Sequence, residues 1–148
     1  MAAYPIHPSI AVITLAVDDL AAALTFYRDG LGWPTDGIIG TEYPGDATHP
    51  AGAVVMFALQ AGLILALYPR TDLALDARVP RGAASATEFS LGHFVARKDE
   101  VDALIAQAAA AGATVTDPPH DRPWGIYSGY FRDPDGHLWE IIWNPGHS

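Results

Sequence analysis

The sequence predicts an α+β protein built from two copies of a βαβββ module within a single domain spanning 1–148. Three observations carry that prediction. Apolar, β-branched runs of strand length recur along the chain, two of them lead through acidic residues into a helical stripe, and each half closes on a glycine-bearing hairpin. At 148 residues, 50% hydrophobic and 17% charged, the chain is large enough to bury one core.

Residues 10–17 (IAVITLAV) form the first predicted strand, and Asp18 or Asp19 caps the helix that follows. Its apolar stripe runs Leu20, Leu24, Tyr27, Leu31, with Gly30 as the expected left-handed stop. Residues 32–52 hold many glycines and prolines and predict a loop with one short strand near 37–41. Strands over 53–59 and 63–68 then flank Gln60-Ala61-Gly62, a hairpin turn. Residues 70–87 lack periodicity and predict a connecting loop. A second strand–helix pair follows, with a strand over 89–95 and a helix opened at Asp99. That helix buries Val101, Leu104, Ile105 and Ala108 and is stopped by Gly112. After a short strand over 113–116 and a proline-rich loop, strands over 126–132 and 137–143 flank Asp133-Pro134-Asp135-Gly136, a turn with proline at its second and glycine at its fourth position.

The halves superpose as a duplication, with modules over 8–69 and 86–145. An offset of 78 residues lays Val12 on Ser90 and Val17 on Val95. An offset of 74 lays Phe57 on Phe131, Gly62 on Gly136 and Ala66 on Glu140.

Composition removes several function classes. Seventeen acidic against eight basic residues leave a net charge of −9, which disfavours nucleic acid and anionic membrane as partners and favours neutral or cationic small molecules. With no cysteine there is no disulfide, thiolate metal site or cysteine nucleophile. The opening MAAYPIHPS has neither the basic nor the apolar region of a secretory signal, so a cytoplasmic protein is expected. Phosphate-binding loops, H-E-x-x-H and G-x-S-x-G are absent, and the DPDG turn lacks the remaining ligands of a calcium loop.

Two segments together, D-L-x5-F-Y-x3-L-G-W over Asp19 to Trp33 and D-P-D-G-x3-E over Asp133 to Glu140, resemble the vicinal oxygen chelate superfamily of glyoxalases, extradiol dioxygenases and bleomycin-resistance proteins. The resemblance implies facing curled sheets, a pocket between modules, frequent homodimers and commonly one divalent metal. It also places the metal ligands on Val12, Ala66, Ser90 and Glu140. Valine and alanine donate no electron pair and a neutral serine hydroxyl is a poor ligand, so no metal cofactor is expected. Glu140 and His93 are the only candidates for one.

Of the six histidines, His7 and His147 lie in the tails, His49 and His120 in loops, and His137 follows a turn. His93 shares a strand face with Leu91 and Val95, which suits a core histidine held by a backbone carbonyl. A bulge at Gly92 would instead turn it into the pocket. Through the last hairpin, alternation sets Leu138, Glu140 and Ile142 opposite Phe131, Gly129 and Tyr127, with Trp139 and Ile141 toward the helix. Glu140 is then a hydrogen-bond acceptor for a tyrosine or Thr14, a catalytic general base, or a group that recognises ligand charge. The expected pocket is lined by Thr14, Tyr68, Ser90, Phe94, Tyr127 and Glu140, with Trp124 at its mouth, while Arg122 and Arg132 read as surface charges beside Asp121 and Asp133. The functional expectation is a small-molecule binder for a neutral or cationic, aromatic ligand. The alternative is a glyoxalase- or dioxygenase-like enzyme with a displaced metal site or Glu140 as general base.

Overall fold

A computed structural model describes residues 8–83, 85 and 88–146, and of Trp124 the backbone only. His7 and His147 therefore lie outside the described residues. The first half runs β1 (Val12–Val17), α1 (Leu20–Leu24), β2 (Ile38–Ile39), β3 (Val54–Ala58) and β4 (Ile64–Pro69). A helix, α2 (Arg70–Ala77), joins it to β5 (Leu91–Phe94), α3 (Lys98–Ala110), β6 (Thr114–Asp121), β7 (Tyr127–Arg132) and β8 (Leu138–Trp143).

The strands form two four-stranded sheets, ordered β1-β4-β3-β2 and β5-β8-β7-β6. Each has one parallel pair, β1 with β4 and β5 with β8, among otherwise antiparallel neighbours. The duplication holds at single-residue level: Thr14 pairs with Ala66 and Gly92 with Glu140, positions related by the same offsets of 78 and 74.

Asp19 caps α1, its carboxylate accepting from the Ala22 N–H at 3.0 Å. From Thr25 to Gly30 the helix widens to π geometry. The left-handed residue that ends it is Gly32, with φ of 75°, rather than Gly30. Gly30 is needed for space instead, because a Cβ there would lie 2.5 Å from the Ala111 Cβ at the end of α3.

Three further expectations are corrected. Residues 70–77 form α2, not a loop; its stop is the left-handed Arg78, with Val79 N–H returning to the Ala74 carbonyl, so no glycine signalled its end. The proline-rich stretch belongs to β6, an edge strand where Pro118 and Pro119 bulge out of register between Asp117 and His120. The last hairpin pairs Glu140 with Tyr130 and Trp139 with Phe131, one residue from the expected register. Gly136, at φ of 90°, adds a bulge residue to the Asp133 turn, and this shifts every pair by one.

One core serves both halves. The inner faces of the two sheets close on the π-helical segment: Tyr27 meets Phe57 of the first sheet at 5.9 Å between ring centroids and Trp139 of the second at 6.2 Å. Phe26 reaches Phe131, and Trp139 stacks on Phe131. The buried Tyr27 hydroxyl donates to Asp133 Oδ2 at 2.5 Å and accepts from Trp139 Nε1 at 3.1 Å. Burial first, then the adjacent Asp133 charge, pushes the Tyr27 phenol well above its usual range. The other Asp133 oxygen accepts the backbone N–H groups of Asp135 and His137, so Asp133 does not serve Arg132. Asp18 N–H donates to Asp135 Oδ1, and His137 Nε2 donates to the Ala16 carbonyl at 2.7 Å.

Tyr27→Phe leaves a buried carboxylate and an indole N–H each short of a partner. It is expected to cost about 1–3 kcal/mol in urea unfolding with an unchanged m-value. A loss below about 0.5 kcal/mol, the size of an ordinary surface substitution, would contradict that role for the Tyr27 hydroxyl.

Candidate ligand-binding site

Because the inner faces close on one core, the alternate residues of every strand look outward. On the first sheet these are Val12 and Thr14 of β1, Met56 of β3, and Ala66 and Tyr68 of β4. On the second they are Gly92 and Phe94 of β5, Glu140 and Ile142 of β8, and Ser128 and Tyr130 of β7. Glu140 therefore looks outward, and Trp139 and Ile141 are buried within the core. One chain does not bring Thr14 and Tyr68 to Glu140, since the two outward faces lie on opposite sides of the shared core. Thr14 is exposed beside the buried Ala66, and the Tyr68 hydroxyl donates to the Ala51 carbonyl at 2.7 Å.

Around Glu140 the second sheet assembles a polar chain. Ser128, fully buried, donates through Oγ to Glu140 Oε2 at 2.8 Å. Arg122 Nε donates to that same Ser128 Oγ at 2.6 Å. The guanidinium also donates through Nη2 to Asp117 Oδ2 at 2.8 Å, and it lies over the Tyr130 ring at 5.2 Å. His120 Nε2 stands 3.1 Å from the same Asp117 oxygen. Burial, followed by the neighbouring Glu140, holds the Tyr130 phenol above its ordinary range. The Arg122 hydrogen bond, followed by that of His120, holds the Asp117 carboxyl below its own.

The proline bulge builds this cluster. Gly129 has room for no side chain, because a Cβ would lie 2.9 Å from the Pro119 nitrogen. The bulged edge thus folds over Gly129 and sets Asp117 beside Arg122, beyond the reach of simple alternation. Arg122 is accordingly part of the site, not a surface charge paired with Asp121. Lys98 takes Asp121 instead, at 3.0 Å.

The remaining expected residues divide. Ser90 is exposed and borders an open cavity of about 490 Å³ with Tyr130 and Leu138. Phe94 is outward and 48% exposed. Tyr127 is corrected: the shifted register turns it to α3, where its hydroxyl donates to Asp102 Oδ1 at 2.7 Å. That bond is the main reason its phenol is pushed up to about 12. The Trp124 side chain lies outside the described residues; its backbone is in a short 3-10 turn over Pro123–Gly125. His93 pairs regularly with Ile141, so no bulge turns it outward, and its ring lies 6.2 Å from Trp33.

The donor set does not fit a resident metal. Val12 and Ala66 carry no donor atom, Ser90 offers a neutral hydroxyl, and one Glu140 oxygen is already engaged by Ser128. Among the described residues, no three histidine or carboxylate side chains converge on a metal-sized site.

Paired βαβββ modules sharing one core, with a carboxylate on the last strand of the second sheet, define a recognisable class. The chain belongs to the Glyoxalase/Bleomycin resistance protein/Dioxygenase superfamily, whose family model matches residues 9–141. Among solved structures it is similar to a glyoxalase-related enzyme from Fulvimarina pelagi, with a TM-score of 0.77 and 32% identity over 93% of this chain and 88% of that one. It is also similar to a lactoylglutathione lyase from Agrobacterium tumefaciens, with a TM-score of 0.63 and 27% identity over 92% and 93% of the two chains. An uncharacterised protein of Mycobacterium tuberculosis is 32% identical over 135 residues, covering 86% of this chain and 69% of that protein. Among the described residues, no helix is long and apolar enough to cross a membrane.

Ser128→Ala removes the atom on which Arg122 and Glu140 meet. An expected loss of about 1–3 kcal/mol follows from leaving two charged groups short of a partner, measured by thermal unfolding against wild type. An unchanged Tm would contradict the linkage.

Proposed function

We propose that the protein binds a neutral or cationic aromatic small molecule against Glu140, without a resident metal. One observation carries the reading: Glu140 is the sole carboxylate among the four positions where the family resemblance puts ligands, and Ser128 holds one of its oxygens. Asp117 offsets the Arg122 charge, so Glu140 leaves the site net negative, in keeping with the net charge of −9. Tyr130 and Phe94 supply ring surface, and Ser90 supplies a hydroxyl. Thr14 and Tyr68 join such a site only from a second copy. The exposed Val12 and Met56 on the outward face of the first sheet, 47% and 44% exposed, give that copy an apolar surface to cover. The proposal therefore includes a homodimer.

A second reading rests on the same carboxylate. With one oxygen oriented by Ser128, the other is placed to accept a proton, which suits an acid–base enzyme with Glu140 as general base. The lyase named among the similar structures supports an enzymatic reading of the fold.

Benzyltrimethylammonium is expected to raise the Tm where benzoate does not, and Glu140→Gln is expected to weaken that binding about five- to tenfold, roughly 1–1.4 kcal/mol. Protein purified without chelator should carry no stoichiometric zinc, nickel, manganese or iron by elemental analysis, and should scatter light as twice 15.7 kDa. Equal binding of benzoate, or a stoichiometric metal that chelators remove together with binding, would contradict the proposal.

A further inference from the structure

A second cavity, of about 400 Å³, opens on the opposite side of the second sheet, at the seam between the modules. It is distinct from the Glu140 face, because strand alternation gives it the inner side chains of β1, β4, β5 and β8: Ile13, Leu65, His93 and Trp139. Trp33, which follows the π-helical segment, adds to the wall, as do Ser90 and, between β3 and β4, Leu59, Gln60 and Leu63. The two indoles meet edge to face at 5.5 Å and 79°, and the His93 ring lies 6.2 Å from Trp33, tilted by 35°.

His93 is the unusual member. Among the described residues its ring has no hydrogen-bond partner, neither the backbone carbonyl that a core histidine would use nor a carboxylate. Its nitrogens are not sealed either, because among the described residues no buried side-chain nitrogen or oxygen lacks a partner. The imidazole thus has donor and acceptor capacity left for a ligand, and it borders both this cavity and another of about 320 Å³ beside α3, with Glu100 and Gln107. Burial pushes its pKa below the usual histidine value, which favours the uncharged ring near neutral pH.

The volume of the seam cavity falls within the range of small-molecule pockets. Its walls suit a flat ring, and of its polar side chains, Gln60, Ser90 and His93, the imidazole is the one that lies beside the Trp33 ring. No carboxylate, lysine or arginine lines it, so nothing there compensates a buried ligand charge.

We infer that the seam cavity is a second small-molecule site, for an uncharged aromatic compound that lies against Trp33 and Trp139 and exchanges one hydrogen bond with His93. It goes beyond the Glu140 proposal and shares with it only Ser90, which lines this cavity as well.

Phenol and toluene test it, being alike in shape and different by one hydroxyl. Titrated into the full-length protein and followed by the Trp indole N–H resonances, phenol is expected to shift two of the four, those of Trp33 and Trp139. A Kd on the order of 0.1–1 mM is reasonable for so small a ligand. Toluene should bind about tenfold more weakly, the value of one hydrogen bond. His93→Phe should remove the preference for phenol while retaining toluene. Ile13→Phe, which fills the space with a larger apolar side chain, should abolish binding of both, with its fold checked by far-UV circular dichroism. No shift at about tenfold the expected Kd, an undiminished phenol preference in His93→Phe, or undiminished binding in a folded Ile13→Phe would each overturn the inference.

Discussion

The structure depends on one buried joint, the Tyr27 hydroxyl between Asp133 and Trp139. A carboxylate taken out of water requires partners for its oxygens. Asp133 finds one in the phenol of the other module and two in the backbone of its own turn. Asp133 completes its set of partners only when Tyr27 is seated against the turn, and the buried Tyr27 hydroxyl finds its acceptor only there. His137 and Asp18 add backbone links across the same boundary. Two modules that would each be too small for a substantial core are thereby held to one.

That joint decides which sheet faces remain outside. With both inner faces closed on Phe26 and Tyr27, Glu140 is turned outward, and the polar chain from Asp117 through Arg122 and Ser128 develops on a face that the core does not need. The same closure leaves the seam beside Trp33 and Trp139 incompletely filled, with His93 among its polar members. The two sites thus lie on opposite sides of one sheet and differ in chemistry: one is charged and open, the other apolar and partly enclosed.

Much of this arrangement is legible in the residues. The strand–helix–hairpin order follows from apolar periodicity, and the two offsets found by aligning the halves reappear as equivalent strand pairs, Thr14 with Ala66 and Gly92 with Glu140. The side of the sheet that Glu140 takes follows from alternation alone. What escapes is whatever an extra residue decides. Gly136 adds one to the last turn, which exchanges Tyr127 for Tyr130 and Ser128 as the neighbours of Glu140. Pro118 and Pro119 add to the edge strand and bring Asp117 to Arg122. Helix α2 escapes because its stop is a left-handed arginine. The Tyr27 partner of Asp133 escapes because it lies 106 residues away in sequence, beyond any local pattern.

The central claim is that Glu140 serves an organic ligand and not a metal. It is tested most directly by a crystal structure of protein never exposed to chelator, with anomalous scattering collected at the zinc and iron edges. The account predicts Glu140 hydrogen-bonded to Ser128 Oγ, with no anomalous peak within about 2.5 Å of its carboxylate, the outer reach of a metal–oxygen bond. A peak bonded to Glu140, with a histidine or carboxylate completing its coordination, would contradict it.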